Sequence, residues 1–452
     1  MGKLLLRNAT IVTGNRTVSG CLGTDKGLIQ GIWEGDNCPE SAREEAEVLD
    51  LKGWVILPGV IDAHVHFRDP GMTQKADIGS ESRAALLGGV TSFIDMPNTQ
   101  PPTTDETTLD AKREKARKTS WCHYGFHLGA TNGNPDFLRR AAQSPDLRPH
   151  FGGIKVFMGS STGGMLIDRN DILDHIFSIP GKPVLVHCED ENTIRKNLIS
   201  ARLRYGDDIP VWMHPYIRSR EACIRSTKRA LELASLHGTR LHLLHITTAE
   251  ELDLIRRAKD KGMSVTAETS ANYLWLSEND YLSKGALIKC NPAVKTVGDC
   301  AALRHAVLDG TIDTIGSDHA PHLMTEKRNP YMQCPSGMPT LQESLSVMLT
   351  VARQEGLSLP RLADLMATGA ARIFGIRGRG ILAPGMAADL TIVDPAAEFT
   401  VSEPAYKCGW SPYEGVTLCG AVRMVFLDGK PVVKDGIFLP GSPNGTALTF
   451  DA

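Results

Sequence analysis

Short apolar runs recur along the central part of the chain, each ending in polar residues or in Gly and Pro. Apolar runs of this length bounded by turn-forming residues are typical of buried β-strands. The pattern therefore predicts eight strands. They lie in the segments WVILPGVIDAHVHF, VTSFIDMPN, CHYGFHLGA, FGGIKVFMG, KPVLVHCED, TRLHLLHITT, MSVTAET and TIDTIGSDH.

Most gaps between these runs hold helix-like segments, in which apolar residues recur three or four positions apart. Two of them, SREACIRSTKRALELASLHG and AEELDLIRRAKDKG, end in a glycine of the kind that closes helices. Strands that alternate with helices over roughly 320 residues predict an α/β protein with a (β/α)8 TIM-like barrel. A doubly wound open sheet is the competing fold. Its nucleotide-binding form loses support because no G-x-G-x-x-G or G-x-x-x-x-G-K follows the first strand.

The two ends of the chain show a different pattern, with short alternating strands and turns such as GLIQGIWEG and MVFLDGKPVVKDG. In the second of these, Asp428-Gly429 is a strong signal for a hairpin turn. We expect residues 1–55 and 378–452 to form one small β-sandwich domain built from both termini. The barrel would then occupy residues 56–377 and carry the catalytic site.

Composition narrows the class of protein. The chain has 452 residues, of which 42% are hydrophobic and 22% charged, as in ordinary soluble globular proteins. Its net charge of -3 gives no electrostatic footprint for nucleic acid, and no stretch approaches the ~20 apolar residues of a membrane span. The ten cysteines include no C-x-x-C pair, which indicates reduced thiols and not a disulfide framework or a thiolate zinc site. We therefore expect a cytoplasmic protein without nucleic-acid or membrane partners.

The first predicted strand ends in an alternating set of polar residues, His64, His66 and Arg68. Residues two apart on a strand share a face, so these three side chains point the same way. In a parallel barrel that face is the interior, near the carboxyl-terminal mouth where barrel enzymes carry their active sites. The alternation therefore predicts functional side chains at the mouth.

Other predicted strands also carry a polar residue at or near their ends: Lys155, His187, His245 and Asp318. Four imidazoles and one aspartate converging on one mouth are a ligand set for a divalent transition metal, zinc by default. The set is large enough for two ions. The alternative is a polar cluster without metal, which is disfavoured because so many unpaired imidazoles are costly to bury.

Lys155 carries a charge that conflicts with a metal site. An ammonium about 5 Å from a divalent ion would be repelled by roughly 6 to 7 kcal/mol at an effective dielectric constant of 20. A neutral amine could instead add carbon dioxide, and the resulting carbamate could bridge two metals as a carboxylate does. The alternative is a lysine that reaches solvent, which its apolar neighbours Ile154, Val156 and Phe157 argue against.

In combination these motifs resemble the cyclic-amidase branch of the amidohydrolase superfamily, over nearly the whole chain. Within that branch the sequence is similar to the long-chain dihydroorotases. The motifs that carry the resemblance are HVHFRDPG, DMPNTQP, IKVF, VHCED, LHITT, KCNPAVK, SDHAPH and GRGILAPGMAADLTIVD.

The resemblance implies a role for each candidate residue. One metal would be held by His64, His66 and Asp318, and the other by His187 and His245, with carbamylated Lys155 and a hydroxide between them. The substrate would be bound by Arg68, Asn98, Asn291 and His322. The reaction implied is the reversible cyclisation of N-carbamoyl-L-aspartate to L-dihydroorotate in pyrimidine biosynthesis, with Asp318 moving the proton. A homodimer or another homo-oligomer is expected.

Two alternatives stay open. An allantoinase or a dihydropyrimidinase (hydantoinase) would use the same metal ligands, but its neutral ring would not need Arg68. A non-catalytic scaffold relative would be expected to lose ligands, and none of the six is missing. One segment departs from the family pattern: TSANYLWL has Asn272 and Tyr273 where related chains often have histidines.

Overall fold

The computed structural model of the protein describes residues 2–159 and 165–451. In chain order, its strands before the barrel are β1 (Lys3–Thr13), β2 (Arg16–Asp25), β3 (Leu28–Glu34), β4 (Ala46–Asp50) and β5 (Val55–Pro58). The strands of the barrel are β6 (Val60–Val65), β7 (Val90–Asp95), β8 (His123–Phe126), β9 (Leu128–Gly129), β10 (Ile154–Phe157), β11 (Val184–His187), β12 (Leu241–Leu243), β13 (Val265–Thr269) and β14 (Thr314–Ile315). The last strands are β15 (Leu390–Thr400), β16 (Thr417–Leu427), β17 (Lys430–Lys434) and β18 (Ile437–Phe438).

The barrel strands pair in parallel, which confirms the predicted TIM-like barrel. Strands β6, β7 and β8 form one stretch, and β9 to β14 form the next in sequence order. A single residue, His127, separates β8 from β9, so the two together occupy one position in the ring. A parallel bridge between Val65 and His319 joins the chain after β14 to β6.

Strands from both ends of the chain form a single sheet, in the order β18-β17-β16-β15-β5-β1-β2-β3, with β4 beside β1. Strand β5 joins the two ends, because it pairs in parallel with β1 and antiparallel with β15. The predicted hairpin at Asp428-Gly429 connects β16 to β17, and both of its residues have positive φ. The division into domains at residues 55 and 378 stays a prediction.

The chain passes from this sheet into the barrel at Gly59, between β5 and β6. A Cβ at this position would lie 2.2 Å from Thr91 Oγ1, so only glycine fits beside β7. The Gly59 amide donates to the Asp389 carbonyl at 2.8 Å. The start of β6 is therefore fixed, and with it the register of the strand that carries His64.

Helices cover the outside of the barrel, and several ends follow the expected capping chemistry. Thr248 and Glu251 form a reciprocal capping box at the start of α9, and the left-handed Gly238 closes α8. Among the described helices, none is long and apolar enough to cross a membrane. In chain order they are α1 (Glu40–Arg43), α2 (Ile78–Leu87), α3 (Glu106–Thr119), α4 (Pro135–Gln143), α5 (Asn170–Phe177), α6 (Glu191–Tyr205), α7 (His214–Ile217), α8 (Arg220–His237), α9 (Ala249–Asp260), α10 (Ala271–Trp275), α11 (Tyr281–Lys284), α12 (Val297–Asp309), α13 (Met324–Lys327), α14 (Ser344–Glu355), α15 (Leu359–Ala363) and α16 (Gly369–Phe374). Short 3₁₀ segments occur at Arg148–His150, Val211–Met213, Glu278–Asp280 and Gly285–Ile288, and a π-helical segment at Asp364–Thr368.

Candidate active site

The carboxyl-terminal ends of β6 and β14 bring three potential metal ligands together. His64 lies in β6, His66 follows that strand, and Asp318 follows β14. Asp318 Oδ1 is 3.3 Å from His64 Nε2 and 3.1 Å from His66 Nε2. The donor atoms of the three side chains all lie within 4.8 Å of one another, which is close enough to share one ion.

Two further histidines lie beside this group. His187 ends β11 and His245 follows β12, and His187 Nδ1 is 2.8 Å from His245 Nε2. The ring of His245 also lies 5.4 Å from the ring of His64, measured between centroids. The four histidines expected from the sequence are therefore neighbours at one end of the barrel.

Three of these histidines also form a hydrogen bond through the ring nitrogen that faces away from the cluster. The sequence does not predict two of the partners, and it assigns the third, Asn98, to substrate binding. His64 Nδ1 donates to Glu268 Oε1 at 2.7 Å, and His187 Nε2 donates to Glu189 Oε2 at 2.9 Å. His66 Nδ1 donates to the Asn98 side-chain oxygen at 2.7 Å. These bonds leave the inner nitrogens unprotonated, with lone pairs that can coordinate a metal. The donor set therefore fits divalent transition ions.

The electrostatics of the cluster agree with this protonation pattern. Burial lowers the pKa of His64, His66, His187 and His245 below the usual value, so their rings stay neutral near pH 7. Burial alone would raise the pKa of Asp318, but the interactions of its carboxylate with His64, His66 and the nearby Lys155 together hold that pKa below the usual value. The result is a carboxylate among neutral imidazoles.

Lys155 lies in β10 with its side chain buried to 1% exposure. Its Nζ lies 4.6 Å from the centroid of the Phe157 ring, and no carboxylate lies within ion-pair distance of it among the described residues. Burial lowers the pKa of Lys155 to about 8. A substantial neutral fraction of this amine is therefore present at mildly alkaline pH, as carbamate formation requires.

A cavity of about 30 Å³ opens beside Asp318. Asn291 contributes a side-chain oxygen, Oδ1, that is buried without a hydrogen-bond partner among the described residues. Three of the four residues expected to bind substrate line the cavity, and His322 lies just behind Arg68. The lining residues are His66, Arg68, Asn98, Asn291, Asp318, Ala320, Ser336 and Gly337.

Arg68 is a buried cation in this cavity. Its side chain is almost inaccessible, since the residue is 2% exposed, and its Nε donates to the Pro321 carbonyl at 3.2 Å. Within the described part of the chain, no carboxylate lies within 4 Å of the guanidinium. Burial lowers the pKa of Arg68 to about 10, so it remains charged at neutral pH. A charge of this kind requires an anion for compensation.

Comparison with known proteins identifies the family. Residues 55–432 match the model of the amidohydrolase family. This chain is an amidohydrolase. It is 36% identical over 381 residues to a dihydroorotase of Methanosarcina mazei, covering 82% of each chain, and 32% identical to an allantoinase of Rubrobacter xylanophilus, covering 97% of this chain and 96% of that one. An L-hydantoinase (dihydropyrimidinase) structure from Arthrobacter aurescens superposes with a TM-score of 0.91 at 27% identity, covering 99% of this chain and 100% of that one.

The family relation establishes the general chemistry. This amidohydrolase is a metal-dependent cyclic amide hydrolase. Its enzyme relatives act on small molecules, and its family uses divalent metal ions. Dihydroorotases, allantoinases and hydantoinases share the fold. The specific substrate therefore has to be argued from the site.

A second group of metal-capable side chains lies at the opposite end of the amidohydrolase barrel. His123, at the start of β8, is close to Asp389 and Asp428. Arg379 forms ion pairs with both carboxylates. Because a cation already occupies this group, we interpret it as an ion-pair network between the barrel and the terminal sheet.

The segment that departs from the family pattern forms helix α10 and supports the site from behind. Asn272 donates to the Ser317 carbonyl at 3.2 Å and accepts from the Tyr413 hydroxyl at 2.6 Å. The Tyr273 hydroxyl donates to the Pro292 carbonyl at 2.8 Å. Both residues are buried, and they hold the backbone next to Asp318 and Asn291.

Proposed function

We propose that this amidohydrolase is a dihydroorotase, which interconverts N-carbamoyl-L-aspartate and L-dihydroorotate with loss or gain of water in de novo pyrimidine biosynthesis. The observation that carries the proposal is Arg68, a buried guanidinium without a carboxylate partner in the cavity beside Asp318. The ring carboxylate of dihydroorotate is an anion of suitable geometry for it. Allantoin and dihydrouracil have neutral rings, which offer no such anion to Arg68.

The metal ligands follow from the two groups of histidines. His64, His66 and Asp318 would hold one divalent ion and His187 and His245 a second, most simply Zn²⁺ in both cases, with carbamylated Lys155 shared between them. Ions bound there would lower the pKa of a water so that hydroxide exists near neutral pH, and would polarise the ring carbonyl.

Asp318 would move the proton. Its carboxylate faces the cavity and is ionised, so it can take the proton of the attacking water and deliver it to the departing amide nitrogen. In the direction of synthesis, protonated Asp318 would supply the proton to the leaving water. No side-chain nucleophile is needed for either direction.

The remaining residues would bind and orient the substrate. Arg68 and His322 would bind the α-carboxylate, and the unpartnered Asn291 Oδ1 would accept a hydrogen bond from a ring N–H. Asn98 lines the cavity but uses its side-chain oxygen to hold His66. Asn98 would therefore both orient the metal ligand His66 and contact the substrate.

A second candidate is an allantoinase or a hydantoinase, which the similarity to the Rubrobacter allantoinase and to the Arthrobacter L-hydantoinase supports. Substrate preference decides between the candidates.

Purified protein should contain two divalent ions per chain and three additional heavy atoms on Lys155 Nζ in a crystal structure. It should hydrolyse dihydroorotate in preference to allantoin and dihydrouracil; preference for a neutral ring would refute the assignment.

The Arg68→Met variant tests directly whether the buried guanidinium binds the substrate carboxylate. Because a buried charge pair with the substrate is lost, the transition state should be destabilised by roughly 3 to 5 kcal/mol, which lowers kcat/KM for dihydroorotate by about two to four orders of magnitude. The metal content should stay the same. Arg117→Met, on the exposed face of α3, is the matched control and should behave as wild type. Unchanged dihydroorotate turnover in Arg68→Met would show that the guanidinium does not bind the carboxylate.

We further propose that the protein is a homodimer or another homo-oligomer in the cytoplasm. The support is a group of exposed apolar side chains on α6, the 3₁₀ turn after it and α7: Ile199, Leu203, Trp212 and Tyr216. Contiguous exposed apolar side chains are typical of protein interfaces. Sedimentation velocity would measure the oligomeric state.

A further inference from the structure

The side chain of His322 lies between three polar groups whose hydrogen-bonding roles are fixed. Lys75 Nζ is 3.1 Å from His322 Nδ1. The Ser336 carbonyl and Arg68 Nη2 lie 3.2 and 3.1 Å from His322 Nε2. An ammonium and a guanidinium only donate and a carbonyl only accepts, whereas a neutral imidazole has one N–H and one acceptor. The three contacts cannot all be hydrogen bonds at once.

The two tautomers of His322 satisfy different contacts. With the proton on Nε2, the ring donates to the Ser336 carbonyl and accepts from Lys75 at Nδ1, and both bonds are made. With the proton on Nδ1, the ring accepts only from Arg68 and faces the Lys75 ammonium with a second donor. The first tautomer makes two bonds and the second makes one, so the surroundings favour the proton on Nε2.

The favoured tautomer leaves Arg68 available. The Nε2–H of His322 then donates to the Ser336 carbonyl, and Arg68 Nη2, 3.1 Å from that nitrogen, has no imidazole lone pair to donate to. Both side chains are buried, at 2% exposure for Arg68 and 1% for His322. A buried guanidinium N–H that no side chain accepts from fits an oxygen of a carboxylate.

We propose that Lys75 is a positioning residue for substrate recognition: it holds His322 in the Nε2–H tautomer, so that the imidazole does not accept from Arg68 and the guanidinium stays available to the substrate carboxylate. The proposal rests on the proposed function in one respect, the identity of the anion. Lys75 acts through His322 and needs no contact with the substrate.

Glu326 explains what happens when Lys75 is removed. Lys75 Nζ pairs with Glu326 Oε1 at 2.8 Å, and Glu326 Oε2 lies 3.8 Å from His322 Nδ1. Without the ammonium, a proton on Nδ1 gains this carboxylate as its acceptor. Nε2 then becomes the acceptor for Arg68, and the guanidinium is drawn to the imidazole instead of the substrate.

Kinetics of Lys75→Met test the proposal. For dihydroorotate, KM should rise about tenfold while kcat stays within about threefold, because binding and not chemistry is affected. Lys75→Arg keeps a donor and should retain a KM near that of wild type. Lys407→Met is the matched control: Lys407 pairs with Asp77, on the same side of the barrel, without contacting His322, and its loss should change neither constant. An unchanged KM in Lys75→Met would overturn the proposal.

Long-range ¹H–¹⁵N spectra of ¹⁵N-histidine-labelled protein provide a measurement that needs no substrate. His322, assigned by its loss in His322→Gln, should carry its proton on Nε2 in wild type and on Nδ1 in Lys75→Met. The same tautomer in both proteins would overturn the proposal even if dihydroorotate is the substrate. Wild type inactive on dihydroorotate but with the expected tautomer change would refute the proposed function and leave the role of Lys75 intact.

Discussion

Asp318 lies where the two parts of the site meet. It contacts His64 and His66 through Oδ1, and it also lines the cavity that contains Arg68. Its backbone φ of 49° is unusual for a residue other than glycine. A conformation of this kind at a half-buried carboxylate is typical of a position constrained by function.

Replacing Asp318 by asparagine should separate proton transfer from metal binding. The amide oxygen can still coordinate weakly, but the side chain can no longer take and return a proton. We therefore expect kcat to fall by about three orders of magnitude or more while part of the metal remains. Metal analysis and steady-state kinetics on the same preparation would measure both. Activity close to that of wild type would mean that another group moves the proton.

Patterns along single strands predicted which side chains lie at the barrel mouth. His64, His66 and Arg68 follow from the period of two, and Lys155, His187 and His245 from their positions near strand ends. The partners of those side chains could not be predicted in this way. Glu268 contacts His64 across 204 residues of sequence, and a strand pattern contains no information about that pairing.

A buried acidic residue, Glu343, directly precedes helix α14. Its Oε2 accepts from the Tyr406 hydroxyl, while Oε1 has no hydrogen-bond partner within the described residues. Burial raises the pKa of Glu343 to about 7 from an ordinary value of 4.5. The folded protein therefore holds a proton there that the unfolded chain releases at lower pH.

The neutral variant Glu343→Gln should be stabilised relative to wild type, increasingly so as the pH rises. Wild type loses stability between about pH 4.5 and 7, because its unfolded state ionises first, and the loss amounts to about 3 kcal/mol. The glutamine side chain would not titrate and would still accept from Tyr406. Melting temperatures at pH 5 and pH 8 would measure the difference, with Glu398→Gln on the surface as control. An equal shift at both pH values would contradict the raised pKa.

Strand order and helix positions could be predicted more fully than strand ends. The run WVILPGVIDAHVHF reads as one strand, but it forms β5 in the terminal sheet and β6 in the barrel. The apolar pattern is continuous across both because both strands are buried. Gly59 lies between them, and its close approach to Thr91 of β7 is a tertiary contact that the local sequence does not encode.

At the scale of the whole molecule, an ion-pair network connects the bottom of the barrel to the terminal sheet. His123 of the barrel lies 3.3 Å from Asp389, and Arg379 pairs with both Asp389 and Asp428. Burial alone would raise the pKa of Asp389, but His123 and Arg379 lower it to about 2. The network therefore stabilises the junction only while Asp389 is ionised.

The variant Asp389→Asn should lose this stabilisation. A lowered pKa in the folded state contributes stability that is complete above about pH 4 and is lost as the pH falls toward 2, here about 2 kcal/mol. The difference in melting temperature between wild type and variant should accordingly be larger at pH 6 than at pH 3. Asp136→Asn, at an exposed position, is the control. A pH-independent difference would show that Asp389 is not ionised by its neighbours.

Strand β5 has a consequence for how the protein is made. Its partner β15 is translated about 340 residues later, which at roughly 5 to 20 residues per second leaves one edge of β5 open for about 20 to 70 s on the ribosome. An open apolar strand edge recruits other chains. Nascent or prematurely terminated chains should therefore be the species that aggregate and engage chaperones, and expression of the chain without its last four strands should not yield a soluble product.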